Sequence, residues 1–390
     1  MVLLSPFYSI DVLILKPYFL CITSYFMNSE CLDELFAKAI NKTKSTVSNH
    51  FIINASSICI TGDIHQDYKA TTSFFIRDAK YFHKWHNTIN ESLISELISS
   101  VGVNIKTPLS YSYGCSSAGD TWLIQKALVS NKSIYLPDIL HRCFLIGQAF
   151  VFFYILGTTD CHKDNFVFSD DSLFWLDSET LLSAYYFKNL KLINQPEDNF
   201  FSNNDFNLSE LLKTNRREGT SNTEDLSLFN SFIRSLPAEI DNAKILESMH
   251  DGIAFGYKCC FNSQSFIFDW ILCTDIESTR VIIRATRIYE QIIKFLLDSK
   301  NEIERDFRAE KIFKSMYNLG ISEEGVLSKL RQISTIEINL LKQGLIPKFR
   351  IKDLPLEIKN KYSIAKNVVN RINSTNCSKL IQNFNKIINI

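Results

Sequence analysis

The chain has 390 residues, of which 46% are hydrophobic and 22% charged, and this excludes a disordered or fibrous protein. Lys and Arg together number 42, as do Asp and Glu. With no net charge and no basic run interleaved with aromatics, nothing draws the chain to nucleic acid or to an anionic membrane.

The first 26 residues are apolar, but Pro6, Asp11, Lys16 and Pro17 interrupt them. No run reaches the roughly 18 residues that a membrane span needs, and no basic segment or small-residue cleavage site marks a signal peptide. A buried helix and a cytoplasmic protein are expected. Residues 1–50 read as helical fragments, amphipathic around 32–39, and 51–60 as a strand. Two short strands, 73–77 and 81–84, flank a turn at Asp78 and Ala79. A helix follows over 88–101, with apolar Leu93, Ile94, Leu97 and Ile98, and then a strand over 122–128. The most apolar stretch, 137–157, opens on Pro137 and ends at Gly157, as a helix does. His141 and Arg142 near its start favour a core helix over a membrane span. Strands at 166–168 and 173–176 surround a turn at 170–172. A polar loop over 195–225, helices over 282–297 and 323–343, and a polar, partly helical tail over 355–390 complete the reading. The ten cysteines form no C-x-x-C pair, so reduced, buried thiols are expected, with no zinc centre.

Residues 159–180, TDCHKDNFVFSDDSLFWLDSET, carry the densest set of functional groups. Asp160 is followed five residues later by Asn165 and seventeen later by Asp177. Protein kinases use H-R-D-x-x-x-x-N, in which the Asp orients the substrate hydroxyl and the Asn binds magnesium. A second Asp beyond a short hairpin holds the metal that bridges the phosphates. Mg²⁺ takes oxygen ligands, which Asn165 and Asp177 supply. Lys84, at the end of an upstream strand, stands in the right order to neutralise the α- and β-phosphates. Neither G-x-G-x-x-G nor a P-loop occurs, so this is no ordinary protein kinase. The competing reading makes Asp160 and Asp177 ordinary turn and cap residues. His83 and His86, beside Lys84, read as core or surface residues, with nucleotide contact as the sharper alternative.

D-x-H-x-[ED]-N followed by L-D-x-E-T resembles the dehydration domain of the class II lanthipeptide synthetases, called LanM. That family has G-D-x-H upstream, here Gly62-Asp63-Ile64-His65, and then a strand bearing the lysine, here Lys84. Downstream it has R-x-x-x-R-x-T-x-x-Y, here Arg280, Arg284, Thr286 and Tyr289, and then I-P-x-F, here Ile346-Pro347-Lys348-Phe349. The resemblance implies catalytic roles for Asp160, its neighbour His162, and Lys84. Asn165 and Asp177 would be magnesium ligands, with Glu179 in the same acidic cluster. Asp63 and His65 would be shared with an elimination step, and Arg280 and Thr286 would promote phosphate loss. This chain has His83 and Trp85 where the family has Tyr and Pro, and Tyr68 where it has Gly.

The resemblance implies an α+β fold with a kinase-like bilobal core and helical elaborations. It divides the chain into a truncated N-terminal helical region (1–57), the dehydratase domain (58–350) and a C-terminal helical tail (351–390). ATP and Mg²⁺ would be the cofactors. The partner would be a ribosomal precursor peptide with a leader segment. No cyclase motif follows Phe349, which leaves a separate cyclase as a further candidate partner. Two other readings stand beside this one: a peptide kinase without elimination, and an inactive, truncated peptide-binding remnant.

Overall fold

A computed structural model describes residues 29–47, 58–85, 88–115, 121–128, 136–158, 165–169, 172–178, 181–182, 185, 241–274, 280–281, 336, 340, 343, 345, 349–350 and 359–387. The fold is mixed α+β.

Helix α1 (Ser29–Val47) buries Leu35, Ala39, Thr43 and Val47, a stripe at four-residue spacing. The stripe lies on an antiparallel sheet of β1 (Cys59–Ile64), β2 (Ala70–Ile76), β3 (Ala79–Lys84), β5 (Ser110–Cys115) and β6 (Thr121–Lys126), in the order β1-β2-β3-β6-β5. Paired residues share a face in such a sheet. Phe74 with Tyr81, and His83 with Thr72 and Ile124, therefore stand on the side facing α1, where Trp85 and Trp122 join them. Lys84, paired with Leu123, stands on the other side. The β2–β3 turn falls at Arg77 and Asp78, one residue earlier than expected, because Arg77 takes the left-handed conformation (φ 54) that reverses the chain. Strand β1 runs on through Gly62 and Asp63, and its register against β2 shifts between Ile60 and Ile64.

Helix α2 (Thr88–Val101) lies where the periodicity puts it and buries Glu91, Ile94, Leu97, Ile98 and Val101. It leads through β4 (Ile105–Lys106) to the edge strand β5, neither of which has a sequence signal of its own. Helix α3 (Leu136–Leu156) is buried on nearly every side. It is the one described helix long and apolar enough to cross a membrane, and 78% of that stretch is buried inside the fold, as in a core helix. Its end is a Schellman cap. Gly157 is left-handed (φ 59), Thr158 N–H donates to Phe153 O at 3.0 Å, and Gly157 N–H donates to Tyr154 O at 3.4 Å. The hairpin β7 (Phe166–Ser169) and β8 (Ser172–Trp175) rests on α3, with the Trp175 ring 4.7 Å and the Phe166 ring 5.5 Å from Phe153. Strand β4 pairs parallel with β8 to complete a three-stranded sheet.

Four more helices share the core of α3: α4 (Asn242–Asn262), α5 (Gln264–Cys273), α6 (Lys361–Ser374) and α7 (Cys377–Ile387). The sequence reading assigned no element to α4 and α5. The tail over 355–390 is helical in α6 and α7, as expected, but it is no solvated appendage: Ile364, Val368, Ile372, Leu380 and Phe384 are fully buried. Burying each such side chain stabilises the fold by roughly 1.5–3 kcal/mol. A final ribbon pairs β9 (Arg280–Val281) with β10 (Phe349–Arg350), Arg280 opposite Arg350. Expectations for 1–28, 51–57, 195–225 and 282–297 fall outside the described residues. Of 323–343, Ile336 and Leu340 are helical.

Helices α3 and α4 approach closely because both carry glycine at the crossing. A Cβ on Gly252 would lie 2.1 Å from Phe144 O, and one on Gly147 would lie 2.2 Å from Met249 O. Neither neighbour is a side chain that can swing aside. Gly252→Ala should therefore lower stability by roughly 1–3 kcal/mol in a urea melt, although alanine alone favours a helix by about 1 kcal/mol. A variant as stable as the parent would mean that the helices do not meet this closely.

Candidate functional site

The peptide unit of Leu176, just past β8, is the point where the candidate residues meet. Its N–H donates to the carbonyl oxygen of Asn165 at 2.7 Å. Its own carbonyl oxygen accepts from Lys84 Nζ at 2.5 Å, across 92 residues of sequence. Asp177 follows directly. The backbone of one residue thus bonds the side chain of Lys84 and the backbone of Asn165, and the chain continues from it into Asp177. Asn165 is buried, while Lys84 and Asp177 are half-buried. A charged donor on a carbonyl oxygen makes a stronger bond than a neutral one, so the lysine is held toward the hairpin.

Two hydroxyls bracket this part of the sequence, Thr158 Oγ1 before the segment that carries Asp160 and Ser178 Oγ after Asp177. Both are buried, and neither has a hydrogen-bond partner among the described residues. Buried polar atoms are rarely left unsatisfied, and a bound polar ligand is one way to satisfy them. By residue type, the amide of Asn165, the carboxylate of Asp177 and the ammonium of Lys84 are the groups that a nucleotide with magnesium would call for. Among the described residues no three His, Cys, Asp or Glu side chains come together as a metal cluster.

The other candidates are placed less completely. Gly62 and Asp63 lie where the register of β1 against β2 shifts. His65 follows β1, half-buried, and its N–H donates to Lys69 O at 2.7 Å. Tyr68, where the resembled family has glycine, is left-handed at φ 58, the conformation glycine adopts at least cost. Lys38 of α1 lies over its ring at 5.2 Å, a contact that only the tyrosine makes. Arg280 is in β9, opposite β10, so two motifs about seventy residues apart in sequence pair backbone to backbone. Asp160, His162, Glu179 and Thr286 lie outside the described residues.

One group in this region was not singled out by the sequence reading. Glu91, in the first turn of α2, is buried and accepts from Gln125 Nε2 at 3.0 and 3.3 Å and from Ser110 Oγ at 3.3 Å. Gln125 is on β6, on the same side of the sheet as Lys84. A signal was present, since Glu91 is an acid three residues before Ile94 on the buried stripe of α2.

His83 does not join this site. It faces α1 with no exposure, 5.1 Å from the ring of Trp85 and 5.7 Å from that of Trp122. Neither ring nitrogen has a hydrogen-bond partner among the described residues. Burial pushes its pKa down to about 3, so it is neutral at ordinary pH. The core reading of His83 therefore stands against nucleotide contact. No protein-family model matches the chain, and no curated protein matches it.

The lowered His83 pKa has a consequence for stability. Its contribution is complete above the unfolded value of about 6.5 and is lost as pH falls toward the folded value. Between about pH 7.5 and about pH 5 the parent should lose roughly 2 kcal/mol more stability than His83→Phe. Parallel curves for the two proteins would show that the imidazole is hydrated or paired.

Proposed function

We propose that this protein is an ATP-dependent dehydratase of Ser and Thr in a ribosomally made precursor peptide. It would phosphorylate the side-chain hydroxyl and then eliminate the phosphate, as the dehydration domain of a class II lanthipeptide synthetase does. The observation that carries the reading is the bond from Lys84 Nζ to the carbonyl oxygen of Leu176, the residue whose N–H pairs with Asn165 O and which directly precedes Asp177. The order of elements supports it: three antiparallel strands ending on the lysine, a helix, three further strands of which β5 and β6 join the same sheet, the long helix α3, and a hairpin between asparagine and aspartate. A kinase-like bilobal core has this logic, with its lysine on the third strand and a helix after it.

In this reading Lys84 binds the α- and β-phosphates, and Asn165 and Asp177 ligate magnesium. Bound Mg²⁺ supplies charge neutralisation on the transferring phosphoryl group. Asp160 orients the substrate hydroxyl and accepts its proton, with His162 beside it and Glu179 in the same acidic cluster. Elimination then requires a base for the α-proton. The electrons of that C–H bond form the Cα=Cβ double bond, the Cβ–O bond breaks, and phosphate departs with its electron pair. Asp63 and His65 are assigned to that step. Arg280 suits the departing phosphate because its guanidinium stays charged and binds phosphate bidentately. Thr286 adds a hydroxyl donor. The products are dehydroalanine and dehydrobutyrine, which a separate cyclase would use.

Mass spectrometry of a co-expressed candidate precursor peptide separates the half-reactions. The parent chain should produce peptide that has lost water. Arg280→Ala should accumulate phosphorylated peptide, with elimination slowed on the order of a hundredfold. Asp160→Ala should leave the peptide unmodified. Full dehydration by Arg280→Ala at the parent rate would remove the elimination assignment, and normal phosphorylation by Asp160→Ala would remove the whole reading.

A further inference from the structure

The β9–β10 ribbon has a register that costs stability. Phe349 pairs with Val281, and Arg350 pairs with Arg280. Residues paired directly across an antiparallel ribbon stand on the same face, with Cβ positions roughly 5 Å apart. Like charges at such positions oppose the pairing. Stability alone would favour an acid or a neutral residue opposite Arg280.

Basic residues are concentrated at this point of the chain. In sequence, Lys348, Arg350 and Lys352 alternate with Phe349 and Ile351, and no Asp or Glu occurs from Gly344 to Lys352. Two segments about seventy residues apart thus bring two arginines to one register position. A guanidinium stays charged and can bind phosphate bidentately, so two of them suit a single phosphoryl group. A shared anion offsets the repulsion between the two cations, because it attracts both.

We propose that Arg350 is a second phosphate-binding residue of the elimination step, holding with Arg280 the phosphoryl group that leaves the peptide. The inference rests on the dehydratase reading and extends it to a residue outside the motifs that suggested that reading. As a base removes the α-proton, the C–H electrons form the Cα=Cβ bond, the Cβ–O bond breaks, and negative charge grows on the departing phosphate. Two arginines stabilise that charge more than one does. Phosphoryl transfer does not draw on the pair, because magnesium and Lys84 serve the nucleotide phosphates in that step.

Time-resolved mass spectrometry of a candidate precursor peptide, incubated with the full chain, ATP and Mg²⁺, tests this. With Arg350→Ala the phosphorylated peptide should form and accumulate, its loss of phosphate slowed on the order of tenfold or more. Arg350→Lys keeps the charge but not the bidentate fork. It should show the same accumulation in milder form, and it serves if the alanine variant misfolds. Dehydration by both variants at the parent rate would overturn the role of Arg350 and leave the dehydratase reading standing. Equal slowing of phosphorylation and elimination would mark a purely structural arginine and overturn it as well. Peptide left unmodified by the parent chain would overturn the dehydratase reading and this inference with it.

Discussion

The bond from Lys84 to the carbonyl of Leu176 constrains everything around it. A lysine at the end of β3 can reach that oxygen only if the inner face of the five-stranded sheet is held against the β7–β8 hairpin. The hairpin in turn is fixed by the rings of Phe166 and Trp175 on Phe153 of α3, and by the parallel pairing of β4 with β8. Helix α3 can serve as that platform because α4 packs against it at backbone distance, which the glycines at 147 and 252 permit. The polar junction is the outcome of apolar packing on three sides.

The two faces of the sheet divide the labour. One face, from Phe74 through His83 to Trp122, is covered by α1 and closed to titration. The other carries Lys84 and Gln125 and meets α2 through Glu91. Strand alternation puts His83 and Lys84, adjacent in sequence, in opposite environments. Two adjacent residues are therefore one half-buried cation bonded to Leu176 O and one core residue.

Much of this was legible in the sequence. Period-two alternation and turn residues located the β2–β3 and β7–β8 hairpins, and apolar periodicity located α2 and α3. Pro137 and Gly157 bracketed α3 to within a residue. The spacing of Asn165 and Asp177 places one before and one after a hairpin, and the structure has that hairpin, β7–β8, between them. What the sequence did not disclose depended on tertiary context. Helices α6 and α7 spread a few buried residues among many polar ones, so their mean hydropathy resembles that of a solvated tail. Glycines at 147, 252 and 256 lower helix propensity in a one-dimensional reading, and only a neighbouring helix reveals why they are there. The partner of Lys84 is a backbone carbonyl, which no residue type can announce.

The central claim is that Lys84, Asn165 and Asp177 form one magnesium–nucleotide site. The most direct measurement is calorimetric binding of ATP to the full chain with and without Mg²⁺, repeated for Asp177→Asn. Magnesium should tighten ATP binding to the parent, and removing the one carboxylate charge should abolish most of that gain. Magnesium-dependent ATP binding that is unchanged in Asp177→Asn would contradict the assignment.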